Sequence, residues 1–158
     1  AKALDFVDNN HITLCGCSQG GLVCSLAAAE KEDEIERLIM YYPALCVPDD
    51  ARRGCLIGTQ IDPDNVPDSF HGVFVKLGKK YVEDARTLDP YEQICTFKKP
   101  VLIIHGIEDK LVKIEYSRKA NERYDDCELI EVHGDHGFIL KGFKAGKKAT
   151  KKYLSDLD

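Results

Sequence analysis

Apolar residues along this chain gather in short continuous runs, and the segments between them carry helical spacing or polar turn residues. "HITLC" (11–15) follows an Asn9-Asn10 turn signal and reads as a short strand, while residues 1–8 read as the end of a helix. Residues 19–30, with Leu22, Leu26 and several alanines, predict a helix, and 33–36 a polar link. "RLIMYYP" (37–43) predicts a buried strand stopped by Pro43. "PVLIIHG" (100–106) is the clearest strand, because an unbroken apolar run fits a parallel strand covered on both faces. A helix over 113–124, a strand at "CELIEV" (127–132) and a helix over 138–155 follow, the last with Leu140, Phe143, Thr150 and Leu154 near helical spacing.

Residues 44–88 break this rhythm. They hold "VPDDARRG" and "DPDNVPD", show little periodicity, and predict a long excursion with one helix near 73–83 (Val73, Leu77, Tyr81). Asp89-Pro90 then starts a short helix, with Asp as cap and Pro at the first position. The order is strand, helix, strand, excursion, helix, strand, helix, strand, helix. Such alternation predicts an α/β fold, a mostly parallel sheet with helices on both faces.

Composition narrows the function classes. Length 158 suits one domain with a real core, and 44% apolar with 31% charged residues is ordinary for a globular chain. A net charge of -5 argues against a general nucleic-acid binder, and no apolar run approaches the ~20 residues that cross a bilayer. The lysines of the last helix (Lys141, Lys144, Lys147, Lys148, Lys151, Lys152) therefore read as a solvated face. The seven cysteines (15, 17, 24, 46, 55, 95, 127) read as mostly buried free thiols of a reducing, cytoplasmic compartment. Cys15 and Cys17 lack a second Cys/His pair at ligand spacing, so no metal is expected. The chain opens without Met or a capping sequence, which predicts a portion of a longer protein.

The candidate chemistry begins at "GCSQGG" (16–21), between a predicted strand and a predicted helix. Gly16-Cys17-Ser18-Gln19-Gly20 matches G-x-S-x-G, in which a serine on a strained turn projects its hydroxyl above the sheet. Gly16 and Gly20 are expected to spare the crossing strand and helix a Cβ clash. A serine hydroxyl is a weak nucleophile and needs a base, and the base needs a carboxylate to fix its tautomer. After "VLIIHG" comes Ile107-Glu108-Asp109-Lys110, and after "CELIEV" comes His133-Gly134-Asp135-His136-Gly137. The acid is Asp109 or Glu108, with the offset from the strand end favouring Asp109. The base is His136 or His133, with the glycine-flanked loop position favouring His136. His105, at a strand end, is expected to play a packing or hydrogen-bonding role, and Asp135 to be a loop hydrogen-bonder. The order Ser…Asp…His at successive strand ends is that of α/β-hydrolases.

"GCSQGGLV", "PVLIIHGIEDKLV" and "GDHGF" resemble the α/β-hydrolase superfamily. "GTQIDPDNVPD" (58–68), the Leu77-Gly78…Tyr81 segment and "DPYEQICTFKKPVLIIHG" are similar to its cinnamoyl/feruloyl esterase group, with Cys17 where that group usually has His. The resemblance implies a partial α/β-hydrolase domain over residues 1–158 with a lid insertion at 44–88. It implies serine-dependent hydrolysis of hydroxycinnamate esters, without a cofactor. Asp50, Gln60 and Tyr81 match lid positions that contact the phenolic ring. The oxyanion hole would use the backbone N–H of Gln19 and a second donor from an N-terminal half, and this chain alone would then be inactive or poorly folded. Expected partners are a small-molecule ester and, as an open alternative, a second copy of the chain. A serine peptidase of the oligopeptidase type, a lipase-like acyl hydrolase and a non-catalytic hydrolase-like binding protein stand as rivals.

Overall fold

The structure, a computed structural model, describes residues 2–72, 75–139 and 141–155. In chain order its strands and helices are β1 (Thr13–Cys17), α1 (Gln19–Glu30), β2 (Arg37–Tyr41), α2 (Val47–Arg53), β3 (Cys55–Leu56) and β4 (Thr59–Gln60). There follow β5 (Ser69–His71), β6 (Lys76–Gly78), α3 (Lys79–Thr87), α4 (Pro90–Ile94), β7 (Val101–Gly106), α5 (Glu115–Asn121), β8 (Cys127–Val132) and α6 (Phe143–Ser155). The chain divides into two compact units: Ala1–Leu45 together with Pro90–Asp158, and Cys46–Asp89.

The first unit is built on a four-stranded sheet of order β1-β2-β7-β8, parallel throughout. Its strands are the four apolar runs of the sequence, and the alternation of strand and helix is as the sequence predicts. Every residue of β7 is buried, as a central strand covered on both faces requires. Ile39, Leu102, Ile104 and Val132 form one face with Phe138, and Ala149 and Tyr153 of α6 pack on it. Their strand neighbours Leu38, Met40 and Ile103, all fully buried, point to the opposite face, because side chains alternate along a strand. Each such side chain contributes about 1.5–3 kcal/mol by leaving water.

The second unit contains α2, α3 and two antiparallel hairpins, β3–β4 and β5–β6. In the second hairpin Phe70 faces Leu77, so Leu77 belongs to a strand and not to the expected helix at 73–83. Gly78 ends that strand as the N-cap of α3, which starts at Lys79 and carries Tyr81. Val73 lies outside the described residues. Strands this short give no periodicity to read, and α2, opened by Pro48 in its first turn, was not expected.

Other boundaries also move. The first strand runs over 13–17 and not 11–15, because Gly16 and Cys17 continue the ladder opposite Met40 and Tyr41. Residues 2–8 form turns and no helix; Phe6 stands 80% exposed, so no packed face offsets the cost of helix nucleation. The expected helix at 113–124 is the shorter α5. The last helix begins at Phe143, because the chain after β8 first makes a tight turn over His136–Phe138 with Gly137 at φ 80. Leu140 lies outside the described residues. Phe143 and Leu154 are exposed, and the buried side of α6 is Gly146 with Ala149 and Tyr153. All seven cysteines are free thiols, but only Cys46 is buried; Cys15 and Cys17 lie exposed on the edge strand β1. Among the described residues no helix is long and apolar enough to cross a membrane.

This packing separates two apolar side chains that the sequence alone treats alike. Leu102→Ala should cost about 2–5 kcal/mol of unfolding free energy, whereas Phe143→Ala should change it by under about 0.5 kcal/mol. Urea denaturation of the two variants checks the difference.

Candidate active site

Parallel strands end at one edge of the sheet, and three loops leave β1, β7 and β8 there. Ser18 stands between β1 and α1 with φ 52 and ψ -122, a backbone conformation that a residue with a side chain adopts only under strain. The surroundings hold it there. Its N–H donates to Tyr41 O at 2.9 Å, and its carbonyl accepts from Gly21 N at 2.9 Å and from Ala44 N at 2.9 Å. A Cβ on Gly16 would lie 2.3 Å from the Gly20 carbonyl oxygen, so glycine is required where strand and helix cross. The second glycine of that crossing is Gly21, whose Cβ would meet Pro43 at 2.8 Å; a Cβ on Gly20 would meet nothing within 4 Å, contrary to the sequence expectation.

The structure brings Ser18, Asp109 and His136 together. His136 Nδ1 lies 2.7 Å from Asp109 Oδ2, and His136 Nε2 lies 3.0 Å from Ser18 Oγ. An ionised carboxylate can only accept, so Nδ1 carries the proton and Nε2 presents a lone pair to the serine hydroxyl. The imidazole is held from its side by Tyr42, whose ring centroid is 4.7 Å away. Tyr42 itself has φ 37. Its phenol is pushed up to about 12 by burial, then by the neighbouring Cys17 thiol.

Asp109 is the better buried of the two adjacent acids; its side chain is fully enclosed. Its other oxygen accepts from Leu111 N and Val112 N, each at 2.9 Å. Burial alone would raise its carboxyl. Hydrogen bonds from His105, His136 and the Val112 N–H together outweigh burial and hold it well below the usual carboxylate range. His105 is buried as expected: Nε2 lies 3.0 Å from Val112 O and 3.3 Å from Asp109, and Nδ1 lies 2.6 Å from Ser117 Oγ. Val112 O can only accept, so Nε2 bears the hydrogen and Nδ1 accepts from Ser117. Ser117, Tyr42 and Gly21 were not foreseen, and no local pattern marks them.

Glu108 points elsewhere. Its carboxylate accepts from Gly134 N at 2.6 Å and lies 2.9 Å from His133 Nδ1. His133, the alternative base of the sequence reading, is exposed and is bonded to Glu108. Gln19 is the first residue of α1. First-turn N–H groups lack an intrahelical acceptor and sit at the positive end of the helix dipole. Beside His136 a cavity of about 470 Å³ opens, lined also by Lys110, Leu111, Asp135 and Lys141.

The remaining expected residues lie in the Cys46–Asp89 unit. Asp50 is in α2 and pairs with Arg53. Gln60 is exposed in β4. Tyr81 is in α3; its hydroxyl is buried with no hydrogen-bond partner among the described residues. Burial raises its pKa, and the nearby Cys46 and Asp50 raise it further.

Because the Asp109 carboxyl is lower in the folded chain than in the unfolded one, the folded state binds fewer protons in acid. The stability this supplies should be complete above the unfolded value near ~3.9 and be lost as pH falls below it. Asp109→Asn should flatten stability against pH in that acid window, as measured by urea denaturation at a series of pH values.

No protein-family model matches the chain, and no curated protein matches its sequence. Solved structures do. Est1E from Butyrivibrio proteoclasticus superposes with a TM-score of 0.91 at 36% identity, over 98% of this chain and 63% of its own. The same protein with ferulic acid bound superposes at 0.90, also at 36% identity, over 98% of this chain and 62% of its own. The mouse alpha/beta hydrolase domain-containing protein 10 superposes at 0.70 with 18% identity, over 99% of this chain and 67% of its own. The chain thus spans just under two thirds of the length of Est1E. It has the α/β-hydrolase fold over its described residues, and within that fold it is similar to Est1E.

Proposed function

We propose that the chain is the triad-bearing part of a serine hydrolase of carboxylic esters, acting on hydroxycinnamate esters such as feruloyl esters. The observation that carries this reading is the hydrogen-bond chain from Ser18 through His136 to Asp109, at a serine held with φ 52. The likeness to Est1E, solved with ferulic acid bound, supports the substrate class.

The chemistry follows from the atoms. Ser18 Oγ attacks the ester carbonyl carbon while His136 Nε2 takes its proton. Asp109 stabilises the imidazolium that forms. Negative charge moves to the carbonyl oxygen, where the Gln19 N–H donates to it. The intermediate collapses, and His136 returns the proton to the departing alcohol. Water then attacks the acyl-serine, giving its proton to His136, and the acid leaves with Ser18 restored.

The unit over Cys46–Asp89, the sequence-expected lid, supplies substrate selection in this reading. An unpartnered buried hydroxyl costs free energy until something bonds it. The Tyr81 hydroxyl fits a hydrogen-bonding role toward the phenolic group of a hydroxycinnamate, and Asp50 and Gln60 add polar groups.

The test is a panel of feruloyl, short acyl and peptidyl esters with the natural full-length protein, alongside a fluorophosphonate probe. Ser18 should be labelled, feruloyl esters should be preferred, and Ser18→Ala should lower turnover by about 10⁵-fold or more. An unlabelled Ser18, or undiminished turnover in Ser18→Ala, overturns the reading. Tyr81→Phe should raise KM for a feruloyl ester about 3- to 10-fold, the worth of one hydrogen bond, and leave cinnamoyl esters that lack the phenol unchanged.

A further inference from the structure

Glu108 is a carboxylate beside the triad that the proposed chemistry leaves unused. Glu108 sits in the turn that follows β7, which Asp109 N closes onto Gly106 O at 3.2 Å, and from that turn Asp109 reaches His136 while Glu108 reaches the loop after β8. There it meets the base loop twice. Its Oε2 accepts from the Gly134 N–H at 2.6 Å, and its Oε1 faces His133 Nδ1 at 2.9 Å. The backbone adds a bond in the reverse direction, from Glu108 N to Gly134 O at 3.1 Å. The two loops also approach closely: a Cβ on Gly106 would sit 2.2 Å from the Gly134 oxygen. Gly134 lies two residues before His136.

We infer that Glu108 is a positioning residue: its carboxylate clamps the loop after β8 to the loop after β7 and thereby sets His136 over Ser18. The inference rests on the hydrolase reading for its catalytic consequence only. Hydrogen bonds donated to a charged acceptor are about twice as strong as neutral ones, and the His133 contact and the Gly134 N–H together hold the Glu108 carboxyl below its usual range, so it stays ionised at neutral pH. The other ionisable groups around the cavity that Glu108 lines are Lys110, Asp135, His136 and Lys141. A displaced base matters greatly here, because a shift of ~1 Å in a catalytic group can lower a rate about 10²-fold.

The experiment compares Glu108→Ala and Glu108→Gln in the natural full-length protein by three readouts: exchange of the Gly134 amide by NMR, the split between kcat and KM on an aryl ester, and the pH profile. Glu108→Ala should speed Gly134 exchange about 10- to 100-fold, the worth of a hydrogen bond to a charged group. It should lower kcat by a similar factor with KM within about twofold, the pattern of an interaction needed only in the transition state. The acid limb of the profile should keep its position, because the Asp109–His136 bond is intact. Glu108→Gln retains an oxygen for the Gly134 N–H and should recover most of both losses. Glu108→Asp, too short to reach both partners, separates the same outcomes where the alanine variant does not fold. Unchanged Gly134 exchange in Glu108→Ala overturns the clamp. So does an equal loss in the alanine and glutamine variants with a common shift of the acid limb, which marks a charge effect. Should the wild type neither hydrolyse esters nor take the fluorophosphonate, the hydrolase reading falls, and Gly134 exchange still decides the clamp.

Discussion

The register of the parallel ladders is the constraint on which the rest depends. Cys17 lies opposite Tyr41, Tyr41 opposite Ile104, and Gly106 opposite Val132. The strands therefore run out at one edge of the sheet, and each loop there starts within a residue or two of its strand. A slip of one residue in any ladder would turn its buried side chains to the wrong face. The core formed by Ile39, Leu102, Ile104 and Val132 resists that slip. The apolar packing that stabilises the sheet is thus also what aligns Ser18, Asp109 and His136.

Within this frame the elbow shows how strain is held. Ser18 keeps a positive φ because its N–H and its carbonyl are both bonded to backbone of neighbouring segments, Tyr41 on one side and Gly21 and Ala44 on the other. Relaxing the turn would break those three bonds, and their loss offsets the ~1–3 kcal/mol of strain that relaxation would relieve. The hydroxyl is consequently presented to His136 without depending on its own rotamer alone.

The sheet and the three residues of the candidate site were legible in the sequence because each rests on a local signal. Continuous apolar runs mark the buried strands, and Asp109 and His136 follow those strands at short offsets in glycine-containing loops. What was not legible depends on pairings distant in sequence. The hairpin that puts Leu77 opposite Phe70 has strands of three residues, too short for any period to show. The buried side of α6 was not legible because Phe143 and Leu154 fit a helical spacing as well as Ala149 and Tyr153 do; only the position of Tyr41 and Phe138 beneath the helix decides between them. Gly21 escaped notice for a related reason. Its neighbour Gly20 fits the motif, but the clash that matters is with Pro43, twenty-two residues away.

The pair Glu108-Asp109 shows how one short loop can divide two tasks. Asp109 is enclosed, bonded by two histidines and two backbone N–H groups, and its charge acts on the imidazole through a single short bond. Glu108 is solvated, so its charge is screened and its direct electrostatic effect on His136 is small. Geometry survives screening where long-range charge does not. A solvated carboxylate can still fix a backbone N–H two residues from His136, and it can do so without competing with Asp109 for the imidazole proton. Exchanging the two would fail on both counts: a buried acid at 108 would have only one backbone donor to satisfy it, and an exposed acid at 109 would leave the imidazolium poorly stabilised. The order Glu-Asp, which the sequence offers as an ambiguity, is resolved by burial.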